Sequence, residues 1–442
     1  MSVTIIKGGV VVNEGVTRRA DVIITDGRIT EIVDGGVPGD VRDAETIDAA
    51  GCCVLPGVID SHVHFREPGM TERGDMSTES AAAAAGGVTT VFDMPNTVPP
   101  TTTIDALEEK FAIAATKCHV NYSFFFGATN DNSPLFARLD PHRIPGIKVF
   151  MGSSTGNMLV DSREALGRVF SAARLPIVAH CEDMTIINRN MTRAKAHDDA
   201  FPDVALHPLI RSAEACCRST SLAVAMARAH GARLHVAHLS TARETGLFSP
   251  DDEMITAEVA VGHLLFSDAD YKTCGTMIKV NPAIKTAADR DALRRAIADG
   301  RITTVATDHA PHLLRQKRGG CDSAASGMPM VQYSLPVMLG LVDEGVLPVE
   351  RVVALMCHNP ARVFGVRRRG YLRRGYMADV AIVRRGAPWT VRRGDIRSKC
   401  GWSPVEGRTF RWRVVCTICN GRVVYRDGAV DERCVGQAVA FR

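Results

Sequence analysis

Along this chain, short apolar runs end in side chains that bind cations or carry protons. They are Asp60-Ser-His62-Val-His64, Lys148 within Gly146-Ile-Lys-Val-Phe-Met, His180, His238 and Asp308. His62 and His64 stand two apart, and residues at that spacing on a strand project from the same side of the pleat. Two imidazoles on one face near a strand end suit one divalent ion. Packing alone does not place histidine, lysine and aspartate at the ends of apolar strands.

The elements that must hold these residues can be read from the pattern. Eight candidate strands, Val58–His62, Thr89–Met94, Ser123–Gly127, Ile147–Met151, Ile177–Cys181, Leu234–Leu239, Ile255–Val259 and Thr303–Asp308, alternate with longer helical stretches such as those opening at Ser77 and Ser162. Such alternation argues for βα units on a parallel sheet, and eight units over about 300 residues predict a (β/α)8 barrel. In that fold the chemistry sits where strands end, which is where the listed side chains fall. Residues 1–54 and 366–442 instead read as short strands and turns, so a small β-sandwich domain built from both termini is expected beside a catalytic barrel at 55–365.

Composition narrows the classes. Of 442 residues, 45% are hydrophobic and 23% charged, which excludes a disordered or fibrous chain. The 53 Lys and Arg against 49 Asp and Glu leave a net +4, too slight to imply a nucleic-acid partner. Arginine pairs at 367–369, 373–374, 384–385 and 392–393 alternate with Gly, Tyr and β-like runs and read as a solvated face or subunit contact. No run is long enough for a membrane span, and no leader pattern opens the chain. Thirteen cysteines, including the neighbours Cys52-Cys53 and Cys216-Cys217, read as reduced thiols, so the cytoplasm is expected. Cys416-Thr-Ile-Cys419 reads as two thiols on a strand. The histidines at 119, 142, 197, 207, 230, 235 and 358 read as surface, cap or packing residues, and His309 as a loop stabiliser.

With these residues in place, the chain resembles the amidohydrolase superfamily and, within it, the cyclic amidases. The resemblance implies that His62, His64 and Asp308 hold one divalent ion and that His180 and His238 hold a second. It also implies that a CO2-derived carbamate on Lys148 bridges the two. Mixed nitrogen and oxygen ligands suit zinc. The physics is consistent: burial lowers a lysine pKa from about 10.4, and the neutral amine can attack CO2. Asp308 would then serve as ligand and as the catalytic proton carrier, taking a proton and passing it to the departing amide nitrogen.

The loop His64-Phe-Arg66-Glu-Pro-Gly69 and the strand end Asp93-Met-Pro-Asn96-Thr resemble the dihydroorotase branch. The resemblance implies that Arg66, Asn96 and His312 bind a substrate carboxylate and that Asn281 contacts the ring. An arginine fork suits a planar carboxylate better than lysine does. The expected reaction is the reversible interconversion of L-dihydroorotate and N-carbamoyl-L-aspartate in pyrimidine synthesis, by a homo-oligomer taken as a dimer. The alternatives are a hydantoinase, dihydropyrimidinase or allantoinase, or a silent scaffold of the same family. Hydantoinases usually carry tyrosine five residues after the lysine, where this chain has Ser153. Three segments depart from the common dihydroorotase pattern: Val259-Ala-Val-Gly-His263, Gly327-Met-Pro-Met330, and lysine at 148 where some relatives carry aspartate. Ser153–Gly156 and the Met328 to Gln332 region are candidates for a closing loop.

Overall fold

The computed structural model describes residues 2–37, 44–152, 158–160, 162–197 and 202–442. Eight parallel strands form the central barrel: β1 (Val58–Val63), β2 (Val88–Asp93), β3 (Asn121–Phe124, continuing as Phe126–Gly127), β4 (Ile147–Phe150), β5 (Ile177–His180), β6 (Leu234–Val236), β7 (Ile255–Ala260) and β8 (Thr304–Ala306). Every residue of these strands is buried, as expected where helices cover one side and packed side chains fill the other. Parallel pairing runs from β1 to β3 and from the second part of β3 to β8. The ring closes beyond β8, where the His64 N–H donates to the His309 carbonyl at 2.8 Å and the His309 N–H to the His62 carbonyl at 3.3 Å.

The helices begin where the sequence supplies caps. Asp75, Thr103, Ser162, Ser212 and Thr286 each accept a backbone N–H in the first turn of the helix that follows. Each fills one of the donors that a helix start leaves unsatisfied.

Two strands stop short of their expected ends. β6 closes at Val236 and β8 at Ala306, two residues before His238 and Asp308. The reason is local: His238 (φ 39°) and Asp308 (φ 49°) take left-handed backbone conformations, which cannot continue a strand. The third strand is also interrupted, at Phe125.

Strands from both ends of the chain form a ten-stranded sheet. The join is central: Val380–Thr390 pairs antiparallel with Cys52–Pro56, which in turn pairs parallel with Val10–Asn13. The sheet folds over a core of its own that includes Ile6, Val22, Ile47, Val54, Val380 and Ile418. The fold is thus a (β/α)8 barrel with a terminal β-sandwich.

All thirteen cysteines are free thiols. Cys416 and Cys419 are buried on the strand Thr409–Cys419, and the Cys419 thiol faces the Thr89 carbonyl. Among the described residues no helix is long and apolar enough to cross a membrane.

Candidate active site

The ten residues singled out above, His62, His64, Arg66, Asn96, Lys148, His180, His238, Asn281, Asp308 and His312, all line one cavity of about 540 Å³. They come from six strand ends and three loops, so only barrel closure brings them together.

His62 and His64 point at Asp308. Their Nε2 atoms lie 3.4 and 3.0 Å from Asp308 Oδ1. The far nitrogen of each ring is already committed. His62 Nδ1–H donates to Glu258 Oε1 at 2.7 Å, and His64 Nδ1–H to Asn96 Oδ1 at 2.7 Å. Both Nε2 atoms therefore present lone pairs to a carboxylate oxygen. Burial lowers the His64 pKa to about 4, with Arg66 and His62 adding to the effect against Asp308, so no ring proton is available at neutral pH to bridge that contact. Burial alone would raise the Asp308 pKa, but His62, His64 and Lys148 overcome it and hold the carboxyl far below the usual range. His62, His64 and Asp308 place three ligand atoms within 4.8 Å of one another, a donor set that lacks only a cation.

The opposite side of the site repeats the arrangement. His180 Nε2–H donates to Glu182 Oε2 at 2.9 Å, leaving Nδ1 to face His238 Nε2 at 3.0 Å. Burial would raise the Glu182 pKa, but Arg211, which pairs with it, and His180 lower it to about 2. Burial lowers both histidines, His238 well below its usual value. Lys148 is fully buried, and its Nζ has no hydrogen-bond partner. Desolvation draws its pKa down to about 8, against the opposing pull of Glu258 and Asp308. An unpartnered buried amine beside unprotonated imidazoles and a carboxylate fits a site built for divalent cations and a modified lysine.

Arg66 also takes a left-handed backbone, φ 69°, and its side chain is buried in the cavity wall. Nε donates to the Pro311 carbonyl at 3.1 Å, and one terminal nitrogen lies 3.1 Å from His312 Nε2. Among the described residues no carboxylate pairs with this guanidinium. Asn96 spends its oxygen on His64, leaving its amide N–H groups to face a ligand. Asn281 Oδ1 accepts from the Ser326 hydroxyl at 3.1 Å and lies 3.2 Å from His207 Nε2.

Reading the sequence alone missed the partners that hold the ligands. These are Glu258 behind His62, Glu182 behind His180 and Arg211 behind Glu182. His207, read as a packing residue, is buried but also lines the cavity. Only a carboxylate inside an otherwise uncharged strand, Thr256-Ala-Glu-Val, could have pointed to Glu258. His309 clamps the loop: Nε2–H donates to Glu79 at 2.8 Å, while Nδ1 accepts from the Met330 and Val331 N–H groups. Met328 lies against this clamp, its carbonyl accepting from the Ala310 N–H. Ser153–Gly156 lies outside the described residues.

Comparison with known proteins gives a consistent result. The model of the amidohydrolase family matches residues 53–424. A dihydroorotase of Halobacterium salinarum is 38% identical over 430 residues, covering 94% of this chain and 99% of that protein. One of Methanothermobacter thermautotrophicus is 34% identical, with 92% and 91% covered. An allantoinase of Bacillus velezensis is 33% identical, with 96% and 94% covered. Among solved structures, the L-hydantoinase (dihydropyrimidinase) from Arthrobacter aurescens superposes with a TM-score of 0.94 at 30% identity over the full length of both chains.

Proposed function

The chain belongs to the amidohydrolase family, and from that premise we propose that it is a dihydroorotase, interconverting L-dihydroorotate and N-carbamoyl-L-aspartate. The observation that carries this choice is Arg66: a guanidinium buried in the cavity wall with no carboxylate partner among the described residues. An uncompensated buried cation favours a ligand that brings an anion, and dihydroorotate carries an exocyclic carboxylate where hydantoin and dihydropyrimidine rings are neutral.

In this reading His62, His64 and Asp308 would hold one divalent cation, His180 and His238 the other, with a carboxylated Lys148 serving both. Zinc suits the donors. When bound, such cations polarise an amide carbonyl and make hydroxide available near neutral pH. The chain's own residues do the rest. Glu258 and Asn96 hold the two imidazoles in the tautomer that offers Nε2 inward. Asp308 engages both rings through Oδ1, so Oδ2 can receive the proton of the attacking water and return it to the ring nitrogen as the amide bond breaks. Its depressed pKa keeps it ionised. Arg66, Asn96 and His312 hold the exocyclic carboxylate and Asn281 the ring, so that the scissile carbonyl is presented in one orientation.

A second reading, hydantoin, dihydropyrimidine or allantoin hydrolysis by the same machinery, is favoured by the likeness to the hydantoinase and the allantoinase. Side-by-side assays of the metal- and bicarbonate-loaded enzyme on dihydroorotate, hydantoin, dihydrouracil and allantoin separate them. Dihydroorotate preference is expected; preference for a neutral ring overturns the choice, and no turnover at all would return the chain to the silent-scaffold alternative. The same proposal divides the chain into a catalytic unit at 55–365 and a β-unit of 1–54 with 366–442. It also takes the enzyme as a cytoplasmic homodimer, which sedimentation would test.

A further inference from the structure

Lys317 lies five residues past His312 and is not among the residues lining the cavity, yet it is buried and its donors are fully used. Nζ donates to three backbone carbonyls: Lys279 at 3.0 Å, Ala325 at 2.7 Å and Gly327 at 2.9 Å. Three acceptors around Nζ match the three N–H groups of an ammonium, a charge that burial and the neighbouring Lys279 oppose. The indole of Trp402 lies 5.6 Å from the charge, and its Nε1–H donates to the His312 carbonyl at 2.7 Å.

The acceptors belong to two segments that carry proposed substrate contacts. Lys279 precedes Asn281 by two residues, and Ala325 and Gly327 flank Ser326. The turn is tied further: the Ala325 N–H donates to the Gln316 carbonyl at 2.7 Å, the Gly327 N–H to the Lys279 carbonyl at 2.9 Å, and Lys279 Nζ to the Ala324 carbonyl. Held in the middle, Ser326 touches both Asn281 and His312. Its hydroxyl donates to Asn281 Oδ1 at 3.1 Å, and its carbonyl lies 3.0 Å from His312 Nε2, the nitrogen that Arg66 also faces.

We propose that Lys317 is a positioning residue, whose ammonium fixes the Ala324–Gly327 turn and, through Ser326, sets the orientation of His312 and Asn281 towards the substrate. In assigning these two to the substrate, the inference rests on the dihydroorotase reading. Its physical basis is that removing the ammonium takes the donor from the Ala325 and Gly327 carbonyls together and leaves the Lys279 carbonyl with the Gly327 N–H alone, and a short segment relieves that cost by moving.

The test compares full-length, metal- and bicarbonate-loaded Lys317→Met and Lys317→Gln with the unaltered enzyme. Kinetics with dihydroorotate are read alongside hydrogen exchange of the 324–327 amides. For Lys317→Met, KM is expected to rise roughly ten-fold or more while kcat stays within roughly three-fold. Exchange at the turn should accelerate and that of the barrel strands should not. Lys317→Gln, which keeps two N–H donors, should recover part of both effects. Unchanged KM and unchanged exchange in Lys317→Met overturn the proposal, as does failure of both variants to fold, which would make Lys317 a fold residue. If the unaltered enzyme does not turn over dihydroorotate, the functional reading fails instead; the exchange measurement uses no substrate and still decides whether Lys317 holds the turn.

Discussion

Glu258, 196 residues from His62 in the chain, decides which nitrogen of that imidazole faces the cavity. A partner of this kind sets the tautomer and raises ligand basicity, and its loss typically costs 10- to 100-fold in metal affinity. Glu258→Gln is therefore expected to weaken metal retention by about that factor, read as metal content after dialysis against a graded chelator. Asp308 carries a different load, because the proton must pass through it. Asp308→Asn should lower kcat by roughly a thousand-fold or more while the protein still folds, since the amide keeps the shape but cannot take the proton. Arg66→Ala removes orientation and charge rather than chemistry. KM for dihydroorotate should rise by roughly 10- to 100-fold, the cost of a lost charged hydrogen bond, and unchanged kinetics would remove Arg66 from the anion site.

At the scale of elements, the site depends on how strands end. Arg66, His238 and Asp308 all sit in left-handed conformations just past strands, which turns their side chains into the cavity instead of along the barrel wall. The β1 and β2 ends are joined through Asp93, which is also half of a buried ion pair. Asp93 accepts from the Phe65 N–H at 2.7 Å and pairs with Lys110 of the helix Ile104–Lys117, whose ammonium also reaches the Met94 carbonyl. Both side chains are about 1% exposed, so neither charge can fall back on water. Lys110→Met should destabilise the protein by about 3–5 kcal/mol, the cost of leaving a buried carboxylate unpaired, measured by urea unfolding. The same variant should loosen the loop that carries Arg66.

For the whole molecule, acid is the expected weakness. Burial lowers His263 to about 4, with Lys285 adding, and His207 to about 3, with Arg211 and Lys279 adding. Their folded pKa values lie below the unfolded value near 6.5, so between these limits the unfolded chain binds protons that the native protein does not. Stability is full above about pH 6.5 and falls as the pH drops towards about 4, by about 1.4 kcal/mol per pH unit for each histidine. The depressed carboxyls of Glu182, Glu258 and Asp308 extend the loss below their unfolded range, again as pH falls. The urea midpoint should therefore be lower at about pH 5 than at about pH 7. An equal midpoint would mean that these histidines are charged in the native state.

The eight strands could be read from the sequence because strand character is local: β-branched and apolar runs, bounded by turns, several of them stopping at a histidine or an aspartate. His62 and His64 on one strand face suggested a cation site, whereas the paired cations and the amide-cleaving chemistry were implied only by the resemblance to the cyclic amidases that the six residues carry. Tertiary structure alone decided the partners. Glu258 reaches His62, Arg211 reaches Glu182, and Lys317 gathers carbonyls from two loops, each across a gap in sequence that no periodicity records. The left-handed turns at His238 and Asp308 were likewise invisible, because neither residue type announces that conformation and the closing of the barrel imposes it. Local propensity is written residue by residue, whereas a hydrogen bond between distant segments exists only once the chain has brought them together.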